Sequence, residues 1–390
     1  MTAATYDVVV IGGGIHGVGV AQAAAAAGYS VLLLEQKALA SGTSSRSSKL
    51  IHGGLRYLES AQFGLVLESL REREILLRNA PELVRRVPFY IPVYSSTQRP
   101  PWTIRAGLSL YALLGGLSRD TRFESVPRAR WENLDGLDTR NLRAVFRYED
   151  AQTDDALLTQ AVMRSAQALG AELRCPANFL SAIRDETGYR VHYLDNSGEQ
   201  TCHTKSLVNA AGPWANTILD RITPRPPKQA VDLIQGAHIL VEGATQRGIY
   251  YVEAPSDGRA VFVMPWKGNT LIGTTETPYD GNDPGAVRAR PEEISYLHET
   301  WQHYFPNAHG RLLDNFAGLR VLPQGSGSVF RRSRETVLHP DNTDRVHLVT
   351  VYGGKLTGYR ATAAKVMHLL RPSLPLRAAV ADTAKLMLSL

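Results

Sequence analysis

Residues 6–36, YDVVVIGGGIHGVGVAQAAAAAGYSVLLLEQ, decide the fold. Val8 to Ile11 is an unbroken apolar run, as expected of a parallel strand buried on both faces. Gly12-x-Gly14-x-x-Gly17 follows directly, and an alanine-rich helix then runs to Gly28, a natural stop. Val31 to Leu34 is a second apolar strand, and Glu35 ends it. Each position has a physical task. Gly12 makes the tight turn, Gly14 lets the backbone approach a pyrophosphate, and Gly17 lets the helix pack closely on the strand. The helix start offers unpaired N–H groups and the positive end of its dipole to phosphates. Glu35 is placed to accept hydrogen bonds from ribose hydroxyls. A lone glycine fingerprint is weak evidence. Strand, turn, helix, strand and acid in register read as a dinucleotide site.

The unit does not by itself separate NAD from FAD. FAD is favoured because no second complete fingerprint exists: GSGSVF at 325–330 follows no apolar strand and opens no helix. The segment after Glu35 also fails to continue as regular β-α units.

The surrounding chain is that of a globular protein. It has 390 residues, 44% hydrophobic and 21% charged, enough for two domains and a large core. Lys and Arg total 43 against 37 Asp and Glu, a net charge of +6 that favours anionic partners. No zinc-finger, RNA-recognition or basic-zipper pattern appears, so nucleic acid is not an expected partner. Cys175 and Cys202 are the only cysteines; they suit a reducing compartment and give no metal-ligand spacing, so no metal is expected. Asp7 interrupts the N-terminal apolar run, which argues against a signal peptide, and no segment has the ~20 apolar residues of a membrane span.

TSSRSSKLIHGGLRYLE, residues 43–59, packs hydroxyls, glycines, a lysine and two arginines together, as a solvated loop or a phosphate-holding segment would. With GGGIHGVG, LVNAAGPWA (207–215), GTTET (273–277), GLRVL (318–322) and YGGKLTGYR (352–360), in this order, it resembles the FAD-dependent, quinone-linked glycerol-3-phosphate dehydrogenases. The resemblance spans roughly residues 6–370. It implies an α/β (α+β overall) fold: a Rossmann-like FAD-binding domain of the glutathione-reductase/D-amino-acid-oxidase type with a β-rich substrate domain. The cofactor domain is expected to be discontinuous, 1–85 plus 150–228 plus 324–372, the substrate domain 86–149 plus 229–323, and 373–390 a C-terminal tail.

The resemblance also assigns residues. Non-covalent FAD is expected against Gly12, Gly14, Ile15, His16, Gly17, Glu35, Gln36, Thr43, Ser44, Ser45 and Ser48. Lys49, Leu50, Gly53 and Gly54 are expected to pass beside the isoalloxazine, with Ala211, Gly212, Trp214, Gly354, Lys355, Leu356 and Thr357 completing the cofactor set. Arg56 and Arg320 are expected to clamp a substrate phosphate, because a planar fork of donors fits it well. His238 is the candidate base, since imidazole titrates near neutrality and guanidinium does not give up its proton. Lys355 is placed near the flavin or the substrate, and Tyr57 would orient the reacting hydroxyl. The bland alternatives are a surface ion pair for Arg56, a strand histidine that only hydrogen-bonds for His238, and a solvated helix-start lysine for Lys355.

Elsewhere, 148–174 reads as a helix capped by Asp154 or Asp155, 172–213 as a small meander returning to an apolar strand, and 290–305 as a helix. Segment 99–116 mixes Trp102, Ile104, Leu108, Leu110, Tyr111 and Leu114 with Arg99 and Arg105. It suits either a peripheral membrane contact, as a quinone user needs, or a buried helix of the second domain. The expected location is the cytoplasm, with that contact at the inner face of the membrane. The resemblance is imperfect: His16, Gln235, Glu276 and Gly358 depart from the usual residues, and the C-terminal helical domain usual in the family is not expected here. Such drift keeps open another small phosphorylated or carboxylated substrate, and an acceptor other than quinone.

Overall fold

The computed structural model describes residues 4–117, 121–325 and 335–390. GSGSVF runs past Gly325 out of the described residues, so its reading has no structural counterpart.

Two sheets organise the chain. In the first, of nine strands, Ala4–Ile11 lies between Val31–Leu34 and Gly198–Asn209, parallel to both. Leu348–Tyr352 joins parallel to Gly198–Asn209 on its far side. The apolar run of the first strand is explained by what covers it. Val8 and Val10 pack with the helices Ile15–Ala26, Asp155–Ala168 and Tyr359–Leu370, while Val9 and Ile11 pack with Tyr189, Val191 and Leu219. Both faces are therefore dry, and neither parity of residue is polar. Gly17 is required by the close approach of helix to turn, since a Cβ there would stand 1.9 Å from the Gly12 carbonyl oxygen.

The second sheet has ten strands. Val231–Val241 pairs antiparallel with Leu312–Pro323, and Val84–Tyr94 with Leu142–Thr153, along most of their lengths. Helix Pro291–Tyr304 covers one face through Leu297 and Trp301. Helices Phe63–Asn79 and Pro101–Leu114 join a second cluster through Val66, Leu70, Leu108 and Tyr111.

Several local expectations match what forms. Asp154 caps the helix Asp155–Ala168, its side chain accepting from the Leu157 N–H at 3.2 Å. Strands Ala177–Arg184, Tyr189–Asp195 and Gly198–Asn209 make an antiparallel meander. The expected domain limits differ from the sheets in several places: residues 84–85 and 150–153, also assigned to the cofactor domain, are the ends of second-sheet strands. Leu50–Ile51, likewise assigned to the cofactor domain, pairs with Gln152 and Ala151 within the second sheet. Residues 373–390 are not a separate tail: Leu374 and Leu388 are buried in the same core as the first helix, and the Leu388 N–H donates to the Asn79 carbonyl at 2.7 Å. Apolar side chains at this spacing anchor the segment although no regular element forms.

Candidate active site

A cavity of about 450 Å³ opens where the carboxyl ends of the first sheet's strands face the second sheet. This is where an open α/β sheet places its ligand. At one end lie Gly12, Gly14, Ile15, His16, Glu35 and Gln36. The Glu35 carboxylate is fixed by the Gly13 N–H at 2.7 Å and the Lys37 N–H at 2.8 Å. Helix Ile15–Ala26 begins at Gly14 with no side-chain cap, and Ser44 Oγ accepts from the Ile15 N–H at 2.9 Å. Thr43, Ser44, Ser48, Leu50 and Gly54 line the middle, facing Ala211, Gly212, Trp214, Gly354, Lys355, Leu356 and Thr357. Thr357 Oγ1 accepts from the His52 N–H at 3.2 Å, tying the glycine loop to the opening of 52–54.

At the other end the second sheet contributes His238, Arg320, Thr274 and Glu276, opposite Arg56 and Tyr57. Arg320 is partly buried on the cavity wall and, among the described residues, donates to neutral oxygens, Thr274 Oγ1 at 3.0 Å and the Thr275 carbonyl at 3.2 Å. Burial and the nearby Arg56 charge bring its guanidinium down to about 10. Gly236 is what lets it lie there, because a Cβ on Gly236 would stand 2.7 Å from both terminal nitrogens. Arg56 is 3.9 Å from a Glu276 carboxylate oxygen. Lys355 Nζ sits 3.7 Å from the centre of the Tyr57 ring and 3.4 Å from Ser69 Oγ. His238 stacks on Phe316, with ring centres 4.9 Å apart, and its Nε2 is 3.0 Å from Ser48 Oγ. Burial, then Arg320 and Lys49, hold its pKa well below the usual imidazole value.

Four residues expected at the cofactor lie behind the cavity wall. Lys49 turns away: its ammonium is buried on Asp155 at 2.8 Å and faces the rings of Phe316 and Trp266. A charge at that depth needs a partner, and the Asp155 carboxylate provides it. Ser45 borders a separate cleft with Lys49, Gly53 donates its N–H to Tyr111 at 2.9 Å, and Gly17 serves helix packing. Of the departures, Gln235 is spent on Glu293 and the Arg288 carbonyl, and Gly358 precedes the helix Tyr359–Leu370. His16 borders the cavity, but among the described residues neither of its buried ring nitrogens has a hydrogen-bond partner, and burial lowers its pKa to about 4. Sequence reading missed Tyr251, Arg259 and Phe262, which join the wall from the strands Ile249–Glu253 and Ala260–Trp266 and the turn between them. Tyr251 and Phe262 sit on neighbouring strands, and the alternation of a strand does not say which face meets the ligand.

The FAD dependent oxidoreductase family model matches residues 7–365. This chain belongs to that family. The oxidoreductase is 40% identical over 380 residues to a glycerol-3-phosphate dehydrogenase of Pseudomonas aeruginosa, spanning 95% of this chain and 72% of the relative. It is 38% identical to a D-erythritol 1-phosphate dehydrogenase of Brucella abortus, over 95% of this chain and 74% of that one. A solved glycerol-3-phosphate dehydrogenase from Bacillus halodurans, complexed with FAD, superposes with a TM-score of 0.73 at 29% identity, covering 99% of this chain and 68% of that one. The cavity suits FAD on its own terms. It joins uncapped helix N–H groups and a fixed carboxylate at one end to a cation-rich chamber at the other, with hydroxyls and glycines between.

Proposed function

We propose that this oxidoreductase oxidises the C2 alcohol of sn-glycerol 3-phosphate to the ketone, giving dihydroxyacetone phosphate. The observation that carries the reading is Arg320, a partly buried guanidinium on the cavity wall with no carboxylate paired to it among the described residues. A second cation, Arg56, faces the same space. Two forked donors in a low-dielectric chamber favour a dianion such as a phosphate monoester. When bound, FAD supplies the two-electron acceptor for the hydrogen leaving C2. Arg56 and Arg320 hold the phosphate, which fixes the direction in which the alcohol end points. His238 takes up the hydroxyl proton, and Tyr57 and Lys355, stacked on one another, close the side next to Gly54. Burial first, and then the Arg320 and Lys49 charges, hold His238 neutral; the dianion offsets the charge part, so base strength rises when substrate is present.

A second reading has an observation of its own. The erythritol-phosphate relative is nearly as similar as the glycerol-phosphate one, so a longer polyol phosphate is the alternative substrate. For the acceptor we favour a quinone reached from the membrane surface. Helix Pro101–Leu114 supports this: Leu108 and Tyr111 are buried, while Trp102 is 73% and Leu113 57% exposed. No helix among the described residues is long and apolar enough to cross a membrane. Peripheral contact at the inner face of the cytoplasmic membrane is the arrangement we propose.

The test is anaerobic. Glycerol 3-phosphate added to the purified holoprotein should bleach the visible flavin band within seconds, and Arg320→Met should abolish bleaching while leaving the band in place. A band that bleaches with erythritol phosphate and not with glycerol 3-phosphate would replace the first reading by the second.

A further inference from the structure

His238 borders the cavity yet is only 1% exposed. One face of its ring is covered by Phe316, at an interplanar angle of 14°. Its Cδ2 edge lies against the neighbouring strand, where a Cβ on Gly273 would stand 2.1 Å away. Nδ1 is buried and has no hydrogen-bond partner among the described residues. Nε2 borders the same strand, 2.7 Å from that Cβ position, and its partner is Ser48 Oγ at 3.0 Å. Ser48 itself is partly exposed and lines the cavity. A substrate alcohol in the chamber therefore meets the Ser48 hydroxyl before it meets the imidazole.

We propose that Ser48 is a catalytic proton relay: the substrate hydroxyl gives its proton to Ser48 Oγ as Ser48 passes its own to His238 Nε2. The inference rests on the reading of His238 as base for a secondary alcohol. The step balances. The substrate O–H bond breaks and a Ser48 O–H bond forms, the former Ser48 proton ends on His238 as imidazolium, and the C2–H bonding pair leaves as hydride to FAD, the oxidant of the family. Serine ends as it began, so one turnover leaves a single proton on the imidazole for release. A hydroxyl suits the task because it donates and accepts at one atom and turns freely about its C–O bond. Ser48 also sits in the segment that borders the cofactor half of the cavity, so the relay and the acceptor are held by one piece of chain.

The test follows flavin reduction by stopped flow without oxygen. Wild-type reduction by glycerol 3-phosphate is scored first. Its failure would remove the substrate assignment, and the relay would then be judged with the alcohol phosphate that does bleach the band. In mixtures of H2O and D2O, two protons moving together give a bowl-shaped dependence of rate on deuterium fraction. A straight line, meaning one proton in flight, would overturn the relay. Ser48→Ala should slow reduction about 100-fold at saturating substrate with the flavin spectrum and substrate Kd kept, and Ser48→Thr should restore most of the rate. The double variant Ser48→Ala/His238→Asn should be no slower than the worse single variant, because the two groups act as one unit. Multiplying losses, or a Ser48→Ala rate within about threefold of wild type, would show that Ser48 only supports the fold. The isotope experiment uses the unaltered holoprotein, so it decides the matter even if Ser48→Ala fails to retain FAD.

Discussion

His16 shows how a single side chain can carry a pH dependence. Its imidazole titrates at about 4 in the folded protein against 6.5 for an unperturbed histidine, because burial without a hydrogen-bond partner disfavours the cation. Between those two values the unfolded chain binds more protons than the native one, so stability rises with pH across the window and is lost on acidification. The contribution is worth about 3 kcal/mol between pH 4 and pH 7. Urea unfolding at both pH values should therefore show a smaller loss on acidification in His16→Asn than in wild type. An unchanged loss would mean that the ring is solvated or paired. Depressed imidazoles such as His16 and His238 are not legible in sequence, because their burial is set by contacts between distant segments. The chemistry of a guanidinium is more portable. Arg56 and Arg320 are named through the family resemblance, and the fold brings both to the wall of one chamber, where the chemistry of a phosphate clamp is open to them. The role of Lys49 could not be named so: only the depth of its surroundings and the proximity of Asp155 show that its charge is structural.

At the scale of elements, helix Pro101–Leu114 is tied to the substrate side through one hydroxyl. Tyr111 accepts from the Gly53 N–H at 2.9 Å and donates to Asp150 at 2.7 Å, and Asp150 in turn accepts from the fully buried Arg73 at 2.7 Å. Tyr111→Phe leaves the Gly53 N–H without its acceptor and a buried carboxylate short of a donor. The expected cost is about 2–4 kcal/mol, read as a lower urea midpoint with unchanged slope. A loss under about 1 kcal/mol would mean that water replaces the phenol. The elements themselves were largely readable. The apolar run Val8–Ile11, the glycine turn and the cap at Asp154 each follow from local chemistry. What escaped was pairing. Leu50–Ile51 is too short to announce a strand, and its attachment to Gln152 and Ala151 depends on a partner about 100 residues away.

At the scale of the molecule, the cofactor cavity is the seam between the two sheets, since Gly12–Ile15 and Ala211–Trp214 line it from one and His238, Tyr251 and Arg320 from the other. A ligand there binds only the native arrangement, so FAD should stabilise the fold by mass action, about 2.7 kcal/mol at 100 times its Kd. Calorimetry of stripped protein with increasing FAD should show a Tm that climbs with ligand concentration. A Tm independent of FAD would mean that the seam closes without it. The order of the first sheet has a consequence for biosynthesis. Ala4 aligns with Cys202, and Leu207 with Leu348. The first strand leaves the ribosome with only Val31–Leu34 as an early neighbour, and at ~5–20 residues per second its inner partner follows about 10–40 seconds later. During that interval Val8–Ile11 is an apolar edge with nothing on one side. That edge stays open until Gly198–Asn209 is made, and a chaperone that covers Val8–Ile11 during synthesis would serve the chain better than one that acts after release.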